Sequence, residues 1–429
     1  MKMKKISMLG WALMAAVAFT ASSCSSDDDN NENNGGNSEA YSDKSYGQNA
    51  ISACNELVSG LEGANAVIAS ASLNAEQEAY LKDVVSNLVD NVIVPTYTEL
   101  ADETEQLEAT LNGLDVNSIS QKDVDKACDL FKKARKTWEQ SEAFLGGAAS
   151  DFDVDPTIDS WPLNRSLLLN YFSSGTMDED MLDDASILGF HALEFILFRN
   201  GQPRNVSEFK SNDTYKGFTS VSGAKELLYA QQVCKLLKER TFQLQVAWEG
   251  ETAKNADRVQ VVKNADLEYV TSKGISFGEN MKKAGETAST FSSLKDAIAQ
   301  ILSDDEGSAA AIANEVGTAK IANPFSAGYI FYVESPYSYN SITDFQDNIR
   351  SIRNVWYGSR SGSADGKNFN DFFVKTNKSA TSSNIVTLFN DAINKIGNIP
   401  APFVKYCSTI WNLPYENDDR TADDLPEEE

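Results

Sequence analysis

Histidine occurs once in 429 residues. That scarcity excludes any zinc site built on two imidazoles, the HExxH metallopeptidases among them, and leaves a Ser/His/Asp or Cys/His arrangement only one possible base. Positive charge is also short: 37 Lys and Arg stand against 63 Asp and Glu, a formal net charge of −26. A nucleic-acid backbone or anionic lipid surface asks for a basic footprint, so neither is the expected partner, and cations are the more natural ligands. Five cysteines are spread widely with no CxxC pair, which argues against a metal cluster or redox motif. Cys54, Cys128, Cys234 and Cys407 each sit in a helical context where a buried free thiol is the usual outcome, although export would permit disulfides. No stretch after the first 20 residues is long and apolar enough to span a bilayer.

What is present begins with an address label. Met1 to Lys5 is a positive n-region, Ile6 to Phe19 an apolar h-region, and Thr20-Ala21-Ser22-Ser23 leads to Cys24. Small residues before a Cys resemble the lipobox of bacterial lipoproteins, with Ala21 where Leu is usual, as in relaxed Bacteroidetes lipoboxes. The expected organisation is a lipoprotein signal peptide over 1–23, lipidation at Cys24, and an acidic, Asn-rich disordered tether over 24–44. An acidic run after the lipidated Cys resembles a surface-export signal, which points to an outer-membrane lipoprotein facing either the periplasm or the outside. The acidic end, 416–429, reads as a frayed tail.

From 45 to 415 the dominant signal is helical period, and the expected fold is all-α: two helical-bundle domains packed side by side, over 45–250 and 251–415. Asn74 with Gln77 and Ser120 with Asp123 read as helix starts. Pro95 marks a kink or a junction between two helices. Helices are expected over 163–172, about 178–199, and 222–249 in the first half. In the second they are expected around 274–284, 290–302, 307–323, 342–356 and 383–396. Ala148 to Pro162 reads as a long functional loop. Trp138 through Phe144 to Gly146 is faintly echoed by Trp356-Tyr357-Gly358, as if the halves were duplicated.

The single imidazole, His191, lies in the apolar run from Ile187 to Phe198. Glu194 shares its helix face at i+3, and a carboxylate buried there needs an Arg or Lys, a proton or a metal ion. A structural ion pair, an interdomain hydrogen bond or a solvent-facing Glu194 would each account for the pair as well. Gly189, read as a mid-helix glycine, implies a close approach by backbone or ligand.

Gly189-Phe190-His191-Ala192-Leu193-Glu194 matches GxHxxE and resembles the signature of the imelysin-like family, which includes the insulin-cleaving membrane protease, iron-regulated surface proteins and a periplasmic component of ferrous-iron uptake. Val94-Pro95-Thr96-Tyr97, Arg135-x-x-Trp138-x-x-x-Glu142-x-Phe144, Ile158-Asp159-Ser160-Trp161-Pro162-Leu163 and Glu334-Ser335-Pro336-Tyr337-Ser338 followed by Asp344 are similar to family segments in family order. Leu145 departs from a common second aromatic. The resemblance implies two helical bundles with a polar pocket between them, and Glu142, Asp159, His191 and Glu194 around that pocket as metal or ligand groups. Arg135, Trp138, Gly189, Trp161, Glu334 and Ser338 would support it. One imidazole and three carboxylates suit iron, zinc, manganese or calcium rather than copper(I). Helix salt bridging explains Glu142 equally well, and helix capping at Leu163 explains Asp159.

Three functions follow. The first is an envelope lipoprotein that binds a metal ion, iron favoured, or a small ligand and passes it to an envelope transport system. The second is the metallopeptidase its family is classed as, although Glu194 cannot be both ligand and general base. The third is a glycan- or peptide-capturing surface lipoprotein using exposed aromatics such as Trp161 and Tyr337.

Overall fold

The computed structural model describes residues 38–174, 182, 184–215 and 217–415. The stretches read as a signal peptide and an acidic tail, Cys24, and most of the stretch read as a tether lie outside these residues. The tether's last stretch is not disordered: Ser38–Ser42 is helical, and buried Tyr41 donates its hydroxyl to the Ala401 carbonyl. One apolar ring with a backbone partner is what the preceding Asp/Asn run lacks.

The principal helices are α1 (Ser45–Ser70), α2 (Ala75–Leu88), α3 (Val94–Asn112), α4 (Gln121–Glu139), α5 (Gly189–Leu197), α6 (Gly223–Glu249), α7 (Ala309–Glu315), α8 (Ser341–Tyr357) and α9 (Ser379–Gly397). The fold is all-helical. Extended pairing among the described residues is confined to Phe198–Arg199 against Gln202–Pro203 and one bridge, Asn212 to Ser222. Asn74 and Ser120 each form a capping box at the starts of α2 and α4, satisfying helix-end N–H groups that would otherwise lack partners. Pro95 neither breaks nor separates its helix. A π-helical stretch, Val89–Ile93, absorbs the missing N–H, and α2 runs through it into α3. The second half repeats the device: α7 passes into π-helical Val316–Ala322, with Pro324 two residues beyond.

One bundle is α3, α4, α5 and α6; the other is α1, α7, α8 and α9. Helix α1 therefore packs with the C-terminal half rather than with the 45–250 segment in which it lies. Its buried stripe of Ala50, Cys54, Leu57, Leu61 and Ala64 is covered by α9 and α7. A single contiguous apolar core runs through both bundles, with a satellite of Ala101, Phe242, Val246, Val259 and Val262. The bundles meet where α8 crosses α4 and the 3-10 turn Glu142–Phe144. All four cysteines in the described residues are buried free thiols.

The stretch 148–162 is more ordered than a loop, holding the short helices Ala148–Asp151 and Val154–Ile158. The helix expected over about 178–199 starts at Gly189 within the described residues, after a 3-10 turn at Ala185–Ile187. Helices Ala256–Asn264, Phe369–Lys375 and Phe403–Trp411 were not expected; each is nine residues or shorter, too short for periodicity to register.

Candidate metal centre

Gly189 opens α5 rather than interrupting it. Its φ of +72° suits glycine, and a Cβ there would lie 2.1 Å from the Ile158 carbonyl oxygen. That backbone contact lays α5 against helix Val154–Ile158, whose next residue is Asp159. All nine residues of α5 are buried, His191 and Glu194 among them.

Asp159 is the hub. Its Oδ2 accepts the Trp138 indole N–H at 2.6 Å, and its Oδ1 pairs with Arg135 Nη1 and lies 3.2 Å from His191 Nε2. Arg135, from the middle of α4's buried face, also pairs through Nη2 with Glu139 and, at 2.5 Å, with Glu334 Oε1. Its Nε stands 3.7 Å from Asp344 Oδ2. Lys320, on the second π-helical stretch, reaches Glu334 Oε1 at 3.1 Å and lies over the Trp161 ring.

Glu194 does a different job. Its Oε1 accepts from the backbone N–H groups of Tyr337 (3.0 Å) and Ser338 (2.7 Å) and from the Ser338 hydroxyl (2.7 Å), while Oε2 faces His191 Nδ1 at 3.2 Å. One carboxylate thus fixes the 334–338 loop and the imidazole together. The other ring nitrogen, Nε2, is turned toward Asp159 and Glu334; a carboxylate on one ring nitrogen commonly orients a histidine so that the other can bind a metal.

Six carboxylates are buried here, Glu139, Glu142, Asp159, Glu194, Glu334 and Asp344, against Arg135, Lys320 and His191. Burial pushes Glu139 and Glu142 far above the ordinary carboxyl range, only partly offset by Arg135 and Lys320 respectively. Burial also lifts Asp344 to about 7, against Arg135. Burial would raise Asp159 too, but Arg135 and His191 hold it well below the usual range. For His191, burial and Arg135 favour the neutral ring; the facing carboxylates of Asp159 and Glu194 outweigh them and raise it to about 9. Burial and the fixed cations thus push the acids of this site in opposite directions.

Two sets of donor atoms converge within 4.8 Å: Asp159, His191 and Glu334, and Glu139, Glu142 and Asp159. His191 Nε2 and Glu334 Oε2 are buried without a hydrogen-bond partner, the 3.2 Å approach of Nε2 to Asp159 being poorly aligned. Imidazole nitrogen with carboxylate oxygens fits a hard or borderline divalent cation. Glu194 belongs to neither set. Trp161 is half-buried and Tyr337 buried, so neither offers the exposed face expected of a capturing surface. A cavity of about 20 Å³, lined by Trp161, Leu163, Arg165, Tyr337 and Tyr415, ends on His191.

Sequence reasoning missed Lys320, Glu139 and Asp344 as site residues. Glu139 was within reach, being four residues beyond Arg135 on the same face. Lys320 carried no signal at all: one lysine in an amphipathic helix reads as a solvated residue.

A buried acidic centre of this kind, seated where two helical bundles meet, defines the class. A family model described as Imelysin (peptidase M75) matches residues 93–422, and the chain belongs to that family. It is 24% identical over 285 residues to iron-regulated protein A of Synechococcus elongatus, covering 66% of this chain and 67% of that protein. Among solved structures it resembles an iron-regulated protein A precursor from Parabacteroides distasonis, with TM-score 0.58, 26% identity, and coverage of 80% of this chain and 97% of that one. An imelysin-like protein from Psychrobacter arcticus also matches, at TM-score 0.45 and 12% identity, over 80% of this chain and 98% of that one.

Proposed function

We propose that this protein captures a divalent metal ion, ferrous iron favoured, at Asp159, His191 and Glu334, and serves metal acquisition as a lipoprotein of the cell envelope. The observation that carries the reading is the convergence of these three donors around buried atoms that lack hydrogen-bond partners. Glu139 and Glu142 converge with Asp159 in a second set of acidic groups. Iron is favoured because two relatives are named for regulation by it. The lipobox-like segment at Cys24 supports anchorage in the outer membrane, and an envelope transporter is the natural recipient of the ion.

Binding fits the geometry better than peptide hydrolysis or glycan capture. The small cavity lined in part by His191 has room for a water or a small ion beside the imidazole. Glu194, the acid of the GxHxxE motif, is committed to His191 and the 337–338 backbone, so it is not free to act as a general base. Anaerobic titration calorimetry with ferrous iron, on the wild type and on His191→Ala, tests the reading. Saturable one-site binding lost in the variant is expected; equal, weak heats from both would overturn it.

A further inference from the structure

Lys320 has two carboxylates within reach. Its Nζ is 3.1 Å from Glu334 Oε1 in the centre and 3.4 Å from Glu315 Oε1 at the rim, where the Glu315 side chain is 39% exposed and the lysine 1%. The pairing with Glu315 depends on backbone. An α-helix would turn residues five apart by about 140° away from each other, whereas the wider π-helical turn of Val316–Ala322 returns them to one side. The ammonium also lies 4.9 Å over the Trp161 ring, which walls the cavity ending on His191. Lys320 therefore sits against both Trp161, a wall of that cavity, and Glu334, one of the three converging donors.

We propose that Lys320 is a tethered competitor for the incoming ion: it neutralises Glu334 in the metal-free protein and crosses to Glu315 when a divalent cation takes that carboxylate. The inference rests on the metal-capture reading above and assigns to one side chain the control of affinity and release. An ammonium and a divalent cation cannot both sit against Glu334 without strong mutual repulsion in a buried site. The crossing keeps the lysine paired at every stage, since an unpaired buried charge is costly. Glu334 Oε2, buried and without a hydrogen-bond partner, remains open as the ammonium holds Oε1. Arg135 is unsuited to the same role, because several carboxylates grip its guanidinium at once.

The two partners of the lysine make opposite predictions. Removing the competitor in Lys320→Met, or in Lys320→Gln should the first fold poorly, is expected to tighten ferrous iron binding by about tenfold or more. Removing the alternative partner in Glu315→Gln is expected to weaken it by several-fold, and in the Lys320→Met background that second effect should largely vanish. Acetylation footprinting by mass spectrometry gives an independent readout: Lys320 should label faster with iron present. Unchanged or weaker binding by the folded Lys320 variants would overturn the proposal while leaving metal capture standing. A Glu315→Gln effect that persists undiminished without the lysine would overturn it too, by reducing Glu315 to a remote charge. If neither the wild type nor the Lys320 variants bind ferrous iron or zinc, the capture reading and this inference fall together.

Discussion

Gly189 and the Ile158 carbonyl are in contact across a gap that has no room for a side chain: an added Cβ would sit 2.1 Å from the oxygen. Because Ile158 precedes Asp159 and Gly189 lies two residues before His191, this contact sets the separation of the imidazole and its carboxylate. Gly189→Ala should cost about 3 kcal/mol, from the positive φ and the displaced backbone together. It should also weaken metal binding, by pushing Asp159 away from His191. Urea unfolding and calorimetry on the same protein check both effects, and unchanged stability would show that the backbone yields easily there.

Glu194 ties the loop at Tyr337 and Ser338 to α5. Glu194→Ala strands two buried N–H groups and the imidazole, and should destabilise by about 3 kcal/mol. Ser338→Ala removes only the hydroxyl donor; about 1 kcal/mol is expected, with metal affinity nearly unchanged. Thermal denaturation of the two variants side by side would reveal any departure from that order.

Asp159 is common to both donor sets and also receives Trp138 and Arg135. Asp159→Asn preserves its shape and removes its charge. Ferrous iron affinity should fall by at least about 100-fold, since losing a charged donor costs more than the 10–100-fold of perturbing the contacts that support one. An affinity within threefold of wild type, in roughly matched buffers, would place the ion elsewhere.

A second buried ionic cluster lies away from the centre, where Arg204 Nη2 meets Glu226 Oε2 at 2.6 Å and Asp213 Oδ1 at 3.4 Å. Burial raises Glu226 to about 7; Arg204 opposes the rise and Asp213 adds to it. A carboxyl that is raised in the folded state binds more protons there than in the unfolded chain, so its contribution is present below the ordinary carboxyl value of 4.5 and is lost as pH climbs to about 7. Stability of the wild type should fall by up to about 3 kcal/mol across that window from this group. Glu226→Gln should flatten the slope, as urea midpoints measured from pH 4.5 to 7.5 would show.

Much of the fold could be read from residues whose partners are close in sequence. The capping boxes at Asn74 and Ser120, the buried stripe of α4 and the apolar surroundings of His191 all depend on spacings of three or four. What stayed hidden depends on distance. Glu334 entered only through the family resemblance, because it lies far along the chain from His191 and Asp159; Lys320 is as remote, and nothing local distinguishes it from the surface lysines. Gly189 was read as a mid-helix approach point; that an approach occurs is right, but its backbone partner Ile158 and the positive φ are set by tertiary packing. The π-helical turns before Pro95 and Pro324 escaped as well, because an inserted residue barely disturbs an apolar stripe.

The pairing of α1 with α9 brings together segments more than 300 residues apart. Until residues 379–397 have been synthesised, α1 lacks the larger of the two helical surfaces that cover its apolar stripe, so its bundle cannot close progressively as the chain emerges. The α3 to α6 bundle suffers no such delay, since its helices all lie between residues 94 and 249. Assembly should therefore run inside-out in sequence, the middle of the chain first and its two ends last. A truncation that removes α9 would leave α1 with only part of its cover, however intact the residues of the metal centre remained.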